Sequence, residues 1–480
     1  MKRTMASAME VTRRANFSLS GPLRLIAIAA ATFIILTSSF DIFLVAQIGP
    51  NIRFCQIIAP VLILLAALRA ARGVRLPLLG AIPVCLWLLF QFAFVPVTGF
   101  WPKSLGYCFW LLLNIAIVYS FVYLFGDDGP ALVWIVRCYA WSFAVIAVCG
   151  IIQFCLPLFG LATPLVTEWW IPGRLARVNG FSYEPSYFAT YLLIGFVFAG
   201  SLRRARTKLM SPGALLSIYW LTLVGILLSS SRMGIVFVIA EIFVAQLTPW
   251  LFFLKDLSKL RIVWRHAQAL APSFAVIGLL SVAIGAAAKE MRDNPTTMLM
   301  LLNGTGLADT AAHSVVERES SFEDTLHVFA EHPAIGRSLG GVSFAIGQLH
   351  GEDLHSFEAS KQFEGMNIFA EVLAASGVIG VVPFVCFLVV LIGRPLKLGN
   401  NVPPAYAALM RSLVRSLLFA LAILQFNQNI LRPYLWMHIA ILATVYAAAQ
   451  RHRLPRILST GRRPIENSPT SMPLPDSLLP

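Results

Sequence analysis

The hydrophobic positions of this chain fall into long uninterrupted blocks, and not into the alternating patterns of amphipathic strands or surface helices. Most blocks approach the ~20 apolar residues that an α-helix needs to cross a bilayer. The blocks cover residues 25–46, 54–69, 76–96, 106–125, 131–156, 184–201, 213–229, 232–254, 267–288, 366–393, 412–427 and 434–449. The pattern predicts an all-α polytopic membrane protein with about 12 transmembrane helices.

Composition and charge narrow the class further. Of the 480 residues, 58% are hydrophobic and only 12% are charged, whereas soluble domains carry about 25% charged residues. So few charges cannot cover a water-soluble core, and that class is excluded. The net charge is +14, but most Lys and Arg residues lie in alternate connections between blocks, as in cytoplasmic loops. This distribution predicts cytoplasmic N and C termini, and it explains the basic charge without a nucleic-acid partner.

The blocks also predict how the chain is divided. A cytoplasmic N-terminal segment (1–24) precedes nine transmembrane helices (25–288), a large periplasmic loop (289–365) and three more transmembrane helices (366–449). The remaining residues, 450–480, are rich in proline and predict a disordered cytoplasmic tail.

The large loop is acidic within a basic protein, and a loop of this length without a role is unusual. It holds five of the eight histidines, which are His313, His327, His332, His350 and His355. Phe322, Leu326 and Phe329 recur at helical spacing. They predict an amphipathic helix over residues 322–331 that lies on the membrane surface through this apolar face.

Two arginines, Arg174 and Arg177, stand just before the predicted sixth transmembrane helix. Pro185 suits the first turn of that helix, which places Glu184 and Ser186 at its N-terminus. A helix N-terminus beside guanidinium groups stabilises phosphate oxygens. The alternative interpretation is a capped helix with arginines that extend towards the interface, and the local sequence leaves both open.

Arg232 lies between two long blocks on the predicted outer side, within Ser231-Arg232-Met233-Gly234. The excess of positive charge on the cytoplasmic side disfavours an incidental arginine at this position. The alternative is again an arginine that extends to the membrane surface.

Further along, Arg318 precedes the predicted loop helix, and a glycine-rich turn runs through residues 332–341. Asn367 opens the tenth transmembrane helix, ahead of Gly377 and Gly380, whose spacing is typical of close helix packing. Asp127 and Asp128 indicate a turn between helices. The chain has no Walker loop, strand-borne GxGxxG, HExxH, CxxC or GxSxG motif, which argues against ATP hydrolysis and against tight metal binding by known motifs.

Taken together, these stretches resemble the O-antigen ligase and polymerase family of bacterial inner-membrane proteins. The matching positions are Arg177, Gly180, Glu184, Pro185, Ser186 and Ala189; Ser231, Arg232 and Gly234; Arg318, Pro333 and Gly336; and Asn367, Gly377 and Gly380. They occur in the family's order and sidedness across roughly residues 150–390. The first five predicted helices match only in hydropathy.

The resemblance implies a metal-independent glycosyltransferase that uses no cofactor and acts on the periplasmic face of the bacterial inner membrane. Its donor would be an undecaprenyl-diphosphate-linked oligosaccharide, and its partners would be membrane lipid, a chain-length regulator and a flippase. The implied diphosphate-binding residues are Arg174, Arg177, Arg232 and Arg318, because clustered arginines stabilise a departing diphosphate. Glu184 is the implied catalytic carboxylate, which orients an arginine or the acceptor hydroxyl, and Asn367 has a positioning role.

One position departs from the family pattern. Family ligases carry histidine directly before the residue that corresponds to Asn367, where this chain has Met366. That histidine is the expected base for the acceptor hydroxyl. Its absence favours a repeat-unit polymerase over a ligase that acts on the lipid A core. His350 and His355 are candidate replacements for the base, although a loop histidine is more often a solvated surface residue.

A twelve-span secondary transporter is the alternative from another functional class. Transporters place charged residues within their spans, near the bilayer midplane. Asp41 and Glu241 fall inside predicted spans, but the polar residues are concentrated in one outer loop and at helix ends. This distribution favours the enzyme.

Overall fold

The computed structural model of the protein describes residues 21–47, 51–171, 173–254, 310–352, 363–364, 367–426 and 430–451. Within those ranges 74% of the residues are helical and there is almost no sheet. The helices are α1 (Gly21–Thr37), α2 (Phe54–Ala71), α3 (Ala81–Ala93), α4 (Trp101–Phe125), α5 (Gly129–Leu158), α6 (Pro185–Arg204), α7 (Pro212–Ser229), α8 (Arg232–Leu254), α9 (Thr310–Glu331), α10 (Gly341–Leu349), α11 (Ile368–Leu398), α12 (Pro404–Ile423) and α13 (Pro433–Gln450). Two antiparallel hairpins pair β1 (Val45–Gln47) with β2 (Asn51–Arg53), and β3 (Glu168–Ile171) with β4 (Leu175–Arg177).

Seven helices of the described ranges are long and apolar enough to cross a membrane. They are α2, α4, α5, α6, α7, α11 and α12, and α1 and α3 are shorter apolar helices. Outward faces carry exposed large apolar side chains such as Leu64, Leu89 and Val389, which suits contact with lipid. These helices are those of a multi-pass membrane protein. The predicted block 267–288 lies outside the described residues.

Helix α6 forms the centre of the bundle. Its side chains are buried on every face, from Phe188 near its start to Leu202 near its end. It packs against α5, α7, α8 and α12. A helix that is apolar on all sides belongs in the interior of a bundle, so α6 connects the two polar ends of the molecule.

We call one of these ends the loop end. There the carboxylate of Asp41, after α1, accepts hydrogen bonds from Arg53 at the start of α2 and from Arg432 at the start of α13. The guanidinium of Arg432 also lies 4.1 Å from the centre of the Tyr187 ring, at the start of α6. These contacts place the end of α1 and the starts of α2, α6 and α13 together.

We call the opposite end the basic end. Arg24 at the start of α1 pairs with Asp128, and Arg69 at the end of α2 pairs with Asp127 at 2.7 Å. Asp128 also caps α5, because its side chain accepts a hydrogen bond from the backbone N–H of Ala131. The prediction that Asp127 and Asp128 form a turn between helices is confirmed.

The first predicted block extends too far. Helix α1 ends at Thr37 and not near residue 46, so Asp41 lies beyond the helix and the expectation of a mid-span carboxylate is wrong there. The backbone N–H of Asp41 donates to the carbonyl of Phe181 at 2.9 Å. The rings of Phe40 and Phe43 pack against the Phe181 ring. Apolar composition alone could not distinguish this tertiary packing from a longer helix.

Helix α11 is interrupted at Gly377, which has φ 59° and ψ −175°. The loop segment 333–338 fills the interruption. Val378 and Ile379 donate backbone hydrogen bonds to the carbonyls of Pro333 and Ala334 at 2.8 and 3.1 Å. Arg337 and Ser338 of the loop donate in return to carbonyls of α11, at 3.0 and 2.8 Å. Backbone polar groups are thereby satisfied inside the protein, as irregular backbone at membrane depth requires.

This contact corrects the reading of Gly377 as a helix-packing residue. A Cβ at Gly377 would lie 2.4 Å from the backbone of Ala334, and one at Gly336 would lie 2.4 Å from the backbone of Ala375. Both glycines are therefore required by a close approach of two backbones. For Gly380 the packing interpretation is confirmed, because a Cβ there would collide with the ring of Phe90 on α3.

The predicted helix over residues 322–331 is present as the C-terminal part of α9, but its predicted apolar face is only partly right. Phe322 and Leu326 are exposed, whereas Thr325 and Val328 are buried. Helix α9 packs against α11. The side chains that meet this neighbour decide the buried face, and spacing within one helix could not identify them.

Candidate functional site

The hairpin β3–β4 carries two of the predicted arginines at the loop end. Arg177 lies opposite Glu168 in the register of the hairpin, and its guanidinium forms an ion pair with that carboxylate. Arg174 is exposed in the turn that joins the strands. The expectation of two neighbouring arginines ahead of α6 is confirmed, but the sequence did not indicate that Glu168 would be the partner of Arg177.

Strand β4 also places Arg177 beside the turn between α7 and α8, which leads into Arg232. The Nε of Arg177 donates to the carbonyl of Ser229 at 3.1 Å, and Val178 N–H donates to the carbonyl of Leu228. Arg232 is the first residue of α8 and is exposed. The turn between α7 and α8 thus places Arg177 and Arg232 in one region, although they are far apart in sequence.

The segment before α6 is held rigidly. The side-chain oxygen of Gln153 on α5 accepts from the backbone N–H groups of Asn179 and Gly180 at 3.2 and 2.9 Å. Gly180 has φ +56°, and a Cβ there would meet the ring of Phe188. Pro185 is confirmed in the first turn of α6, with Glu184 as the preceding N-cap residue. The Glu184 carboxylate accepts from the Ser186 hydroxyl at 2.8 Å.

Behind these residues lies an ion cluster of Asp41, Arg53 and Arg432. Arg432 is nearly buried, at 11% side-chain exposure, and its Nε has no hydrogen-bond partner among the described residues. Burial lowers the pKa of the Arg432 guanidinium, but the charge of Asp41 and its other neighbours raise it by more, so its pKa lies above the usual value. Glu364 is close enough to contribute to that effect.

Glu364 connects this cluster to a buried lysine. Lys103 is fully buried on α4, where its Nζ donates to the Ser343 hydroxyl at 2.7 Å and lies 4.0 Å from the Glu364 carboxylate. The Tyr107 hydroxyl donates to the same carboxylate. Glu371, in the first turn of α11, is 2% exposed, and its Oε2 has no hydrogen-bond partner among the described residues. Lys103, Glu364 and Arg432 all act electrostatically on Glu371.

His350 lies at the edge of the same region. Its Nε2 is 2.9 Å from the Asp324 carboxylate, and its ring stacks on Phe363, next to Glu364 in the chain. A carboxylate bonded to one imidazole nitrogen fixes the orientation of the ring. This geometry suits a histidine that accepts a proton through its other nitrogen.

Less can be said of the other predicted site residues. Asn367 caps α11, because its side chain accepts from the backbone N–H groups of Phe369 and Ala370, both at 3.0 Å. Arg318 lies within α9, but its side chain is outside the described residues, as are Met366 and His355. Among the side chains that are described, no group of three or more His, Cys, Asp or Glu residues is placed to hold a metal ion.

Sequence reasoning missed the buried cluster that surrounds Glu364 and Arg432. One signal was available. Arg53, Lys103 and Arg432 were cations on the predicted outer side, where the positive-inside bias makes each one unexpected. Their carboxylate partners come from distant parts of the chain, so no local pattern pointed to them.

Comparison with known proteins adds no assignment: no protein-family model and no curated protein matches this chain.

Proposed function

We propose that this protein is a membrane-embedded glycosyltransferase of the polysaccharide polymerase type. It transfers a glycan from an undecaprenyl-diphosphate-linked repeat unit to an acceptor sugar at the loop end. The observation that carries the proposal is the convergence of Arg177 and Arg232 beside one turn, with Arg174 in the turn of the same hairpin as Arg177, together with His350 held by Asp324 at the same end. The paired N–H groups of an arginine side chain suit the oxygens of a diphosphate. A histidine with a fixed orientation suits removal of a hydroxyl proton.

The reaction assigns one task to each group. The acceptor hydroxyl oxygen forms a bond to the anomeric carbon of the donor. The bond from that carbon to the diphosphate breaks, and the diphosphate leaves with the electron pair. Arg177 and Arg232 stabilise the charge that develops on it. His350 or Glu184 takes the hydroxyl proton, and the lipid diphosphate is released.

In this proposal Glu168 acts in the resting protein, before the donor binds. It neutralises Arg177 across the hairpin while no donor is bound. A diphosphate carries more charge than one carboxylate, so it competes with Glu168 for the guanidinium. The carbonyl of Ser229 keeps the Nε of Arg177 in place during this exchange.

The membrane arrangement belongs to the same proposal. The loop end faces the periplasm and the basic end faces the cytoplasm of a bacterial inner membrane, with about 12 spans and both termini cytoplasmic. The concentration of Arg24, Arg69, Arg137 and Arg204 at the basic end supports this orientation, because cytoplasmic surfaces collect positive charge. A chain-length regulator and a flippase are the partners this function needs.

One observation favours the transporter as a second candidate. Secondary transporters use discontinuous helices to bind ions at unwound backbone, and α11 is discontinuous at Gly377. Here, however, the backbone groups that the interruption frees are hydrogen-bonded to the loop segment 333–338. Because these groups already have partners, they are not offered to an ion, which argues against the transporter. Uptake of labelled solute by purified protein in liposomes would identify the transporter instead.

Substitution of Arg232 tests the proposal directly. We expect Arg232→Lys to impair glycan synthesis nearly as much as Arg232→Ala, because a point charge cannot copy bidentate contacts to a diphosphate. The measurement is glycan chain length on gels from a deletion strain complemented with each variant. Arg72→Ala is the matched control, because Arg72 is an exposed arginine after α2 at the basic end.

The protein level in the membrane is measured for each variant. Long chains from Arg232→Ala at normal protein level would remove Arg232 from the site and contradict the proposal. Attachment of single, unpolymerised repeat units to the lipid A core would identify the ligase in place of the polymerase.

A further inference from the structure

At the basic end, a cavity of about 730 Å³ opens between the end of α6, the first half of α12 and the connection between α11 and α12. Three arginines line it: Arg204 from α6, and Arg411 and Arg415 from α12. Asn400 contributes from the connection. This cavity lies at the other end of α6 from Glu184, so it is separate from the candidate transfer site.

A buried carboxylate fixes two of the three arginines. Glu241 on α8 is 2% exposed and accepts from Arg204 Nη2 at 2.6 Å. Its other oxygen accepts from Arg415 Nε and Nη2 at 2.9 and 2.7 Å. Glu241 lies within a predicted span, where its carboxylate fixes the positions of Arg204 and Arg415. The Nη1 groups of Arg204 and Arg415 donate to no other described residue.

The charges at the cavity do not cancel. Three guanidinium groups face one carboxylate among the described residues, and Arg411 bonds only the neutral side chain of Asn400, at 3.2 Å. Fixed guanidinium groups with unused N–H donors bind phosphate oxygens well, because little entropy is lost when they do so. The cavity is therefore built for a group that carries phosphate.

The surroundings distinguish a lipid from a soluble anion. Leu418 lies on the same face of α12 as Arg411 and Arg415 and is exposed. Val244, three residues after Glu241 and therefore on the same side of α8, is exposed as well. Apolar side chains therefore continue along the bundle surface from the arginines, where acyl chains would pack. Basic pockets between helices at the cytoplasmic side are typical headgroup sites.

We infer that this cavity binds the phosphate headgroup of an anionic phospholipid, with the acyl chains against the exposed faces of α8 and α12. The inference is independent of the glycosyltransferase proposal. It requires only that the protein lies in a bilayer.

The test measures lipid binding by native mass spectrometry of the full-length protein in detergent. Phosphatidylglycerol is titrated into the unmodified protein, Arg411→Gln and Arg72→Gln, and phosphatidylcholine and inorganic diphosphate are titrated into the unmodified protein. Arg411 is exposed, and its one side-chain hydrogen bond within the part of the chain that the structure describes is to Asn400, so its substitution should leave folding intact. Arg72→Gln is the matched control, with the same loss of charge at the same end but outside the cavity.

We expect phosphatidylglycerol to bind about tenfold or more weakly to Arg411→Gln, the loss typical of one charge-assisted hydrogen bond. Binding to Arg72→Gln should be unchanged. Equal binding of phosphatidylglycerol and phosphatidylcholine would overturn the inference, as would unchanged affinity in Arg411→Gln or equal weakening in Arg72→Gln. Tighter binding of inorganic diphosphate than of phosphatidylglycerol would show that the ligand is a soluble anion.

Discussion

The Arg69–Asp127 pair at the basic end and the charged residues of the loop end are used in different ways. At the basic end, Arg69 contacts both oxygens of Asp127 and two backbone carbonyls, so both terminal nitrogens of its guanidinium are hydrogen-bonded. At the loop end, Asp41 is shared by two arginines. Glu371 has an oxygen without a hydrogen bond among the described residues.

This difference separates structural charge from functional charge. Paired and capped charges close the corners between helices and need nothing further. Buried groups with incomplete partners are costly, and they are found mainly where a ligand or a proton is handled. The loop end also contains the broken helix and the docked loop, which is where backbone irregularity concentrates in binding sites. The following substitutions test this separation, with stability and glycan transfer measured on each variant.

The largest loss of stability should come from Gly377→Ala. The positive φ alone costs roughly 1–3 kcal/mol in a residue with a side chain. The new Cβ would also push the Ala334 backbone away, and about 1 kcal/mol is at stake for each docking hydrogen bond. We expect a total near 5 kcal/mol and no transfer, read as the melting temperature in detergent and the product yield.

Gly393→Ala is the matched control for that experiment. Gly393 lies in the same helix, without a positive φ, and a Cβ there would meet nothing within 4 Å. It should melt at the same temperature as the unmodified protein or slightly above it, because alanine is favoured over glycine in a helix interior by about 1 kcal/mol. If both variants melted alike, the docking of segment 333–338 would not be what stabilises α11.

The next largest effect should be Arg69→Met at the basic end. Removing Arg69 takes the ion pair away from the Asp127 carboxylate, which is only 13% exposed, and breaking a largely buried pair typically costs about 3–5 kcal/mol. The double variant Arg69→Met with Asp127→Leu should recover much of this loss, because replacement of both charges by apolar groups is often nearly neutral. The folded fraction of both variants should keep normal transfer activity. Loss of transfer in properly folded protein would show that the basic end also serves the reaction.

The sequence allowed prediction of the features that depend on local composition. Long apolar helices, the N-cap region at Glu184 and Pro185, and the turn at Asp127 and Asp128 each depend on a few adjacent residues. The ion cluster could not be predicted, since Asp41 and Arg432 are 391 positions apart. Gly377 was misread because its purpose lies in a loop segment about 40 residues earlier, which meets it only in the folded protein.

Glu371→Gln should have a smaller effect of the opposite sign. Gln keeps the shape of Glu and removes the buried negative charge, whose burial without full hydrogen bonding is costly, so the substitution should leave stability unchanged or raise it. Transfer should fall, because Glu371 helps to set the electrostatics of Lys103 and Glu364. Glu319→Gln is the matched control, because Glu319 is exposed on α9. If Glu371→Gln were less stable but had normal transfer, Glu371 would have a role in folding and not in the reaction.

The smallest effect on stability should come from His350→Ala, because exposed side chains away from special features change it by less than about 0.5 kcal/mol. If His350 is the base, transfer should nevertheless fall by 10²–10⁴-fold, the usual contribution of a positioned base. Asp324→Asn should lose part of that factor by releasing the ring. The control is His327→Ala, because His327 is exposed on α9, the helix that carries Asp324, and among the described residues it pairs with Glu331.

The assay uses purified lipid-linked repeat units, so that donor binding and transfer are measured separately. Donor affinity should be unchanged in His350→Ala, since the arginines are untouched. A double variant with His355→Ala separates the two candidate histidines. Full activity in that double variant would exclude both, and the proton would then pass to Glu184 or leave without a dedicated base. If there is no dedicated base, the arginines alone would drive departure of the diphosphate, and Arg177→Ala should cause the largest loss of transfer at the loop end.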